Sequence, residues 1–225
     1  AGKMIVCEKP LAMNAADLVV VHSDMIRMLC HYYYPHHTGK VFRHVLWFTN
    51  WIYADALDFA PLARPFAERD VDALFVAASW NRPEKNFPFV QRIAAGLGAS
   101  RVHVVGEVEN EAEKRGASAV YHGLIADRAE LFSLMGRARA VVCPSVFDAA
   151  PGILFEASAL GCNLVASENC GNAAICNDSL LVRRFTPDEF VTRVSESLTE
   201  KYEDNVDDFL DSTAYQEFTD TLDVL

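Results

Sequence analysis

Long apolar runs are missing from this 225-residue chain: the longest, such as Leu18 to Val21 and Ala140 to Cys143, fall far short of the roughly 20 residues that a membrane helix needs. Membrane contact is therefore expected to be peripheral at most. Positive charge is scarce as well. Lys and Arg number 20 against 31 Asp and Glu, a formal net charge of −11, which argues against the broad phosphate-binding surface of a nucleic-acid binder. An anionic ligand has to meet a local positive site instead. The six cysteines (Cys7, Cys30, Cys143, Cys162, Cys170 and Cys176) contain no C-x-x-C pair. They read as reduced thiols of a cytoplasmic protein, not as a disulfide framework. The spacing of Cys162, Cys170 and Cys176 matches no zinc pattern, and the seven histidines form neither H-x-x-x-H nor H-E-x-x-H, so no metal and no other cofactor is expected. Val105-Gly106-Glu107-Val108 lacks the further glycines of a dinucleotide fingerprint, and no P-loop is present. At the start, Ala1 to Cys7 is broken by Glu8 and Lys9 with no cleavage pattern, so export is not expected. Repeats and low-complexity tracts are absent too.

What remains is a globular composition, 51% hydrophobic and 23% charged, enough for a sizeable core. Short apolar runs alternate with helical patterns, the signature of a parallel sheet with crossover helices. Leu74–Ala78, Arg101–Val105, Ala119–His122, Ala140–Cys143, Asn163–Ala166 and Leu180–Val182 read as six buried strands. Phe87–Leu97, Asp127–Gly136 and Pro151–Leu160 read as helices, with Asp127 as an N-cap and Gly136 and Gly161 as stops. The fold class is thus α/β, a doubly wound, Rossmann-like parallel sheet of about six strands. Upstream, Ala16–Ser23 predicts one more strand flanked by helical stretches, and Phe59–Arg69, with Pro61 and Pro65, reads as a linker. Tyr32-Tyr33-Tyr34, with Trp47 and Trp51, offers a sugar-stacking platform but reads as packing. Residues 1–58 are taken as one piece, 59–200 as the main domain, and 201–225 as an acidic amphipathic helical tail.

The most informative stretch runs from Pro144 across a loop to Ala157, from a strand end into a helix, on the sheet edge where doubly wound folds bind ligands. Pro151 suits the first helical position, and behind it the amides of Gly152 and Ile153 favour an anion such as a phosphate. Glu156 follows on the same face, roughly 7.5 Å along the axis from the helix start, about the reach from a diphosphate to a ribose. A carboxylate among Ile153, Leu154, Phe155 and Ala157 is costly without a partner. A pair of ribose hydroxyls would serve, and so would an arginine or a partly exposed helix edge. Asp148 by itself reads as a loop cap. On the same sheet edge, Ser79 to Asn86 carries Arg82 and Lys85, which suit either a diphosphate or a solvated turn.

These residues resemble the retaining GT-B glycosyltransferases of family 4, the broad group that includes bacterial mannosyl- and glucosyltransferases. The resemblance rests on Asp148-x7-Glu156, similar to that family's E-x7-E motif with Asp for the first Glu, and on the flanking Pro144-Ser145 and Glu156 to Ser167. Tyr121-His122-Gly123 and Ala16 to Ser23 are similar to further landmarks. The resemblance implies that Glu156 holds the ribose hydroxyls of a nucleotide sugar and that Asp148 touches the donor sugar. It further implies that the Ala150, Pro151, Gly152 and Ile153 backbone approaches sugar and phosphates, that Lys85 binds the diphosphate, and that Leu124 and Ile125 border the nucleobase. Where the family has Gly-Arg before the lysine, this chain has Ser79-Trp80, and Arg82 would substitute.

The implied function is transfer of a hexose from a nucleoside diphosphate sugar to an acceptor with retention. The leaving diphosphate would be stabilised electrostatically, with no covalent residue nominated. The resemblance also implies a facing amino-terminal domain that supplies most acceptor contacts, of which residues 1–58 would be the last piece. Catalysis by this chain alone is then not expected. The alternative is a non-catalytic nucleotide-sugar-binding or interaction module; a sugar-nucleotide epimerase would need acid/base groups that the sequence does not show.

Overall fold

The computed structural model describes residues 4–6, 18–21, 24–36, 41–43, 46–98, 101–109 and 119–210. The chain divides into two compact units, Ala1–Trp51 with Asp207–Leu225, and Ile52–Val206.

In the first unit, β1 (Met4–Val6), β2 (Leu18–Val21) and β3 (Val41–Arg43) form a parallel sheet in that order, Met4 opposite Leu18 and Val19 opposite Val41. Helix α1 (Asp24–Tyr33) makes the crossover from β2 to β3. It buries Ile26 and Cys30, four residues apart on one face. Tyr32 and Tyr33 meet edge to face and stand exposed at 78% and 65%, as does Trp51 at 64%. The sequence predicts packing for them; Ile26 and Cys30 are the residues of α1 that pack, while Tyr32 lies off their face and Tyr33 stands exposed at the helix end. Trp47 lies outside the residues whose side chains are described. Only β2 was expected as a strand, because three-residue strands such as β1 and β3 are too short to carry an alternation. Helix α2 (Leu46–Leu57) ends in the second unit.

The second unit holds a six-stranded, wholly parallel sheet. Its strands are β4 (Val71–Ser79), β5 (Val102–Glu107), β6 (Val120–Gly123), β7 (Ala138–Cys143), β8 (Asn163–Ser167) and β9 (Leu181–Val182), in the order β6-β5-β4-β7-β8-β9. Apolar β4, β7 and β8 fill the centre, as strands buried on both faces must. Helices α3 (Phe87–Gly96) and α6 (Pro187–Ser197) pack on each other, and Val90, Ile93, Phe190 and Val194 join Phe75, Val104 and Val142 in one core. Helices α4 (Arg128–Met135) and α5 (Gly152–Ala159) lie along β7 and β8 and bury Phe132, Leu154 and Phe155. The Rossmann-like α/β class read from the sequence is the observed fold.

Local differences have physical causes. Strand β6 is an edge strand, not a buried one: Val120 and His122 are exposed because nothing pairs beyond it among the described residues. Phe59–Arg69 is not a loose linker. It forms 3-10 turns at Ala60–Leu62 and Phe66–Glu68, packs Phe59 against Phe132 with ring centroids 4.8 Å apart and planes tilted by 59°, and buries Arg69. Pro151 sits one residue before α5 instead of at its first position, its ψ of 101° being extended. Asp127 caps α4 as expected, accepting from the Glu130 amide at 2.8 Å. At the expected helical tail, residues 201–205 have no regular structure and Val206–Phe209 make one 3-10 turn; the rest of that tail lies outside the described residues.

Candidate functional site

The strand order reverses at β4, whose neighbours β5 and β7 lead to opposite ends of the sheet. Ligands of such folds bind at this switch point, outside the carboxyl ends of the strands. A specific break in the register opens the space. Strand β4 pairs with β7 from Val71–Ala138 only as far as Leu74–Val141, but stays with β5 out to Ser79–Glu107. Past Leu74 the side of β4 toward β7 is left clear, and Val76, Ala77 and Ala78 line a cleft of about 270 Å³. Gly106 makes the continued pairing with β5 possible. Its φ is +129°, and a Cβ there would lie 2.0 Å from the Ala77 carbonyl oxygen. That close approach also seats Trp80, which is 5% exposed and donates its indole N–H to the Val105 carbonyl at 2.9 Å.

Two loops face each other across the cleft and brace one another. The Val146 amide donates to the Glu84 carbonyl at 2.8 Å, and the Asn86 side-chain amide donates to the Pro144 carbonyl at 3.3 Å. Between them the Lys85 ammonium sits 2.5 Å from Asp148 Oδ2, with side chains 20% and 16% exposed. Asp148 is fixed from behind: its Oδ1 accepts from the Ala150 amide at 3.3 Å, and its carbonyl accepts from the Gly171 amide at 2.7 Å.

Helix α5 opens into the same cleft. Unlike α4 and α6, which are capped by Asp127 and Thr186, it has no side-chain cap and no acidic residue in its first turn. Its leading amides have no intrahelical partner, so this end of the helix carries unspent positive dipole. One turn on, Glu156 lines the cleft. Burial pushes its carboxyl above the ordinary glutamate range, Arg128 opposes that shift, and Asp55 adds to it. Arg128 is ion-paired with Asp55 and lies over the Phe132 ring at 4.8 Å.

The structure therefore gathers Lys85, Asp148, Ala150, Pro151, Gly152, Ile153 and Glu156 around one space. Arg82 is not among them. It is exposed and held by Glu84, its Nε 2.7 Å from Oε1. Leu124, exposed, and Ile125, partly buried, follow β6 on the same sheet edge but do not line the cleft. Sequence reasoning missed Val76–Ala78, whose role depends on where β7 stops pairing, and the Asp55–Arg128 pair, which spans 73 positions. The three neighbouring cysteines serve packing. Cys162 takes a hydrogen bond from Arg69 and donates to the Met135 carbonyl, while Cys170 lies 3.8 Å from the Cys143 sulfur.

Comparison with known proteins agrees with this fold. Residues 71–200 match the family model described as glycosyl transferases group 1. No curated protein sequence matches the chain. Among solved structures, Anabaena HepE in complex with UDP and glucose superposes with a TM-score of 0.62 at 15% identity, over 96% of this chain and 65% of that one. The apo lipopolysaccharide outer core galactosyltransferase WaaB gives 0.65 at 15% identity, over 92% and 62%. Sucrose-phosphate synthase from Thermosynechococcus elongatus gives 0.60 at 17% identity, over 95% and 60%. The chain thus spans less than two thirds of the length of these GT-B structures, and at such identities the likeness carries the fold alone. The family model covers more than half of the chain, and the chain belongs to the glycosyl transferases group 1 family.

Proposed function

We propose that this cleft binds a nucleoside diphosphate sugar and that the chain is the donor-binding half of a retaining hexosyltransferase of family 4. The observation that carries the reading is the convergence, in one cleft at the switch point, of an uncapped helix N-terminus, one lysine and one half-buried glutamate. Each suits a different part of such a donor. The amides of Gly152 and Ile153 and the Lys85 ammonium suit the diphosphate, where charge builds as the glycosidic bond breaks. Glu156 suits a pair of ribose hydroxyls, which would give its half-buried carboxylate the hydrogen bonds it needs. Asp148 and the Ala150–Pro151 backbone suit the sugar, and the chain after Gly123, at Leu124 and Ile125, suits the rim of the nucleobase. Arg82 reaches the phosphates only by giving up Glu84.

The ligands of two similar structures, UDP with glucose in HepE and UDP-2-fluoro glucose in an E. coli structure, make uridine donors the first to try. We read the acceptor as held by a second domain facing the cleft, the reaction as cytoplasmic and independent of metal, and binding as the measurable activity of this chain. Calorimetric titration with UDP, GDP and ADP and their sugars tests the reading. One nucleotide series should bind, binding should survive EDTA, and Glu156→Ala or Lys85→Ala should weaken it at least about 30-fold. Binding of none of them, with the fold intact by circular dichroism, would reject it.

A further inference from the structure

Among the described residues, the cleft is lined by a single cation, Lys85, and that cation is already taken by Asp148 at 2.5 Å. The neighbouring positive charge does not make up for it: Arg82 is engaged by Glu84, and Trp80 is a buried, hydrogen-bonded indole. Asp148 in turn cannot drift away. The Ala150 amide holds its Oδ1, the Gly171 amide holds its carbonyl, and its backbone bridges to Cys170. The pair therefore parts by rotation of the carboxylate or by a swing of the longer Lys85 side chain, with the backbone of Asp148 left in place.

A phosphate that approaches Lys85 therefore competes with a fixed carboxylate and meets its repulsion. A ligand that also presents sugar hydroxyls gives Asp148 donors of its own, so that it can leave Lys85 without being stranded. Building on the donor-site reading above, we propose that Asp148 is a specificity-determining residue that discriminates the intact nucleotide sugar from the bare nucleoside diphosphate by reclaiming Lys85 when no sugar is present. The device favours release of the diphosphate product. It penalises one ligand class selectively, as specificity by repulsion requires.

Asp148→Asn tests it, since the amide keeps an acceptor for Ala150 and removes the charge. Full-chain protein is titrated with UDP and UDP-glucose, and with the GDP-mannose and ADP-glucose pairs. In the variant the bare diphosphate should bind about tenfold tighter, in line with loss of one competing charged hydrogen bond. The nucleotide sugar should gain less or lose affinity, so the ratio between the two falls at least about tenfold. The tighter diphosphate binding should also weaken more steeply with salt. Diphosphate binding no tighter than wild type, in a protein whose binding Lys85→Ala removes, would overturn the proposal and leave the donor site standing. No binding by wild type or Asp148→Asn, both folded, would overturn both. Binding by Asp148→Asn alone would support the proposal in its strongest form.

Discussion

At the amino edge of the six-stranded sheet, Asp70 takes two hydrogen bonds from Arg137 at 2.9 Å and a further ion pair from Arg64 at 3.1 Å. Beside it, Asp72 takes Arg101 at 3.1 Å and Arg139 at 3.3 Å. At the carboxyl edge, one lysine and one aspartate face each other over a cleft, a helix end stands uncapped, and Glu156 is held among apolar residues. The same sheet thus closes its charges at one edge and leaves them exchangeable at the other. Two carboxylates make the contrast sharp. The Arg137 guanidinium holds Asp70 down at about 2, whereas burial pushes Glu156 up. Charge used for stability is saturated by fixed partners; charge that the donor-site proposal assigns to a ligand is left short of them.

The amino edge also contains the interaction whose loss should cost most. Arg69 is 5% exposed and, among the described residues, pairs with no carboxylate; it donates to the carbonyls of Ala138 at 2.7 Å, Leu160 at 2.8 Å and Arg64 at 3.0 Å. The Leu160 bond ties down the carboxyl end of α5, where a cation also suits the helix dipole. Arg69→Leu strands three carbonyls and should destabilise the protein by about 3 kcal/mol, lowering Tm by roughly 6–12 °C. Nucleotide affinity below that transition should stay within about twofold of wild type. If calorimetry showed affinity lost and Tm unchanged, the division of labour between the edges would be wrong.

How much of this could be read beforehand differs by edge. The strands were legible because β4, β7 and β8 are built around unbroken apolar runs, Ala73–Ala78, Ala140–Cys143 and Leu164–Ala166, and the α5 loop was legible because Pro151, Gly152 and Glu156 lie within one local motif. The amino-edge network was not. Arg137 and Asp70 are 67 positions apart and meet only because β4 and β7 are neighbours in the sheet. The same holds for Lys85 and Asp148, each of which had a sensible separate reading, but whose mutual pairing needs the two loops to be brought together. Arg69 was placed in a linker because the prolines around it suggested turns, and its four acceptors lie on other elements or five residues away. One further signal lies in the sequence: Thr186 and Glu189 have capping-box spacing, and Thr186 accepts from the Glu189 amide at 3.3 Å at the start of α6, while the Glu189 carboxylate accepts from the Arg183 and Arg184 amides instead.

Glu156 gives the next largest effect and a test of sign. A ligand hydroxyl needs the ionised carboxylate as acceptor, and burial makes protonation set in above the ordinary glutamate range. Nucleotide affinity should therefore fall on acidification through that raised range, with a slope approaching tenfold per pH unit at its steepest. Glu156→Gln should bind weakly with a flat profile in that range. Stability should move the other way. The folded state holds this proton more tightly than the unfolded chain, so acidification through the same range stabilises the fold, and the glutamine variant should be slightly more stable than wild type at neutral pH.

Asp70 should show the opposite sign and the smallest effect. Its folded pKa of about 2 lies below the ordinary 3.8, so its contribution is fully present above about 4 and is lost as pH falls toward 2. The shift alone would suggest more, but the side chain is 47% exposed and solvent screens its pairs with Arg137 and Arg64, which leaves about 1 kcal/mol or less. Asp70→Asn should then lower Tm by no more than roughly 4 °C at pH 7. The difference from wild type should narrow below pH 4 and shrink in high salt, while nucleotide affinity stays unchanged throughout. A difference that instead widened on acidification would mean that the arginines of the amino edge repel one another more than Asp70 holds them, and the two edges would differ in geometry but not in the use they make of charge.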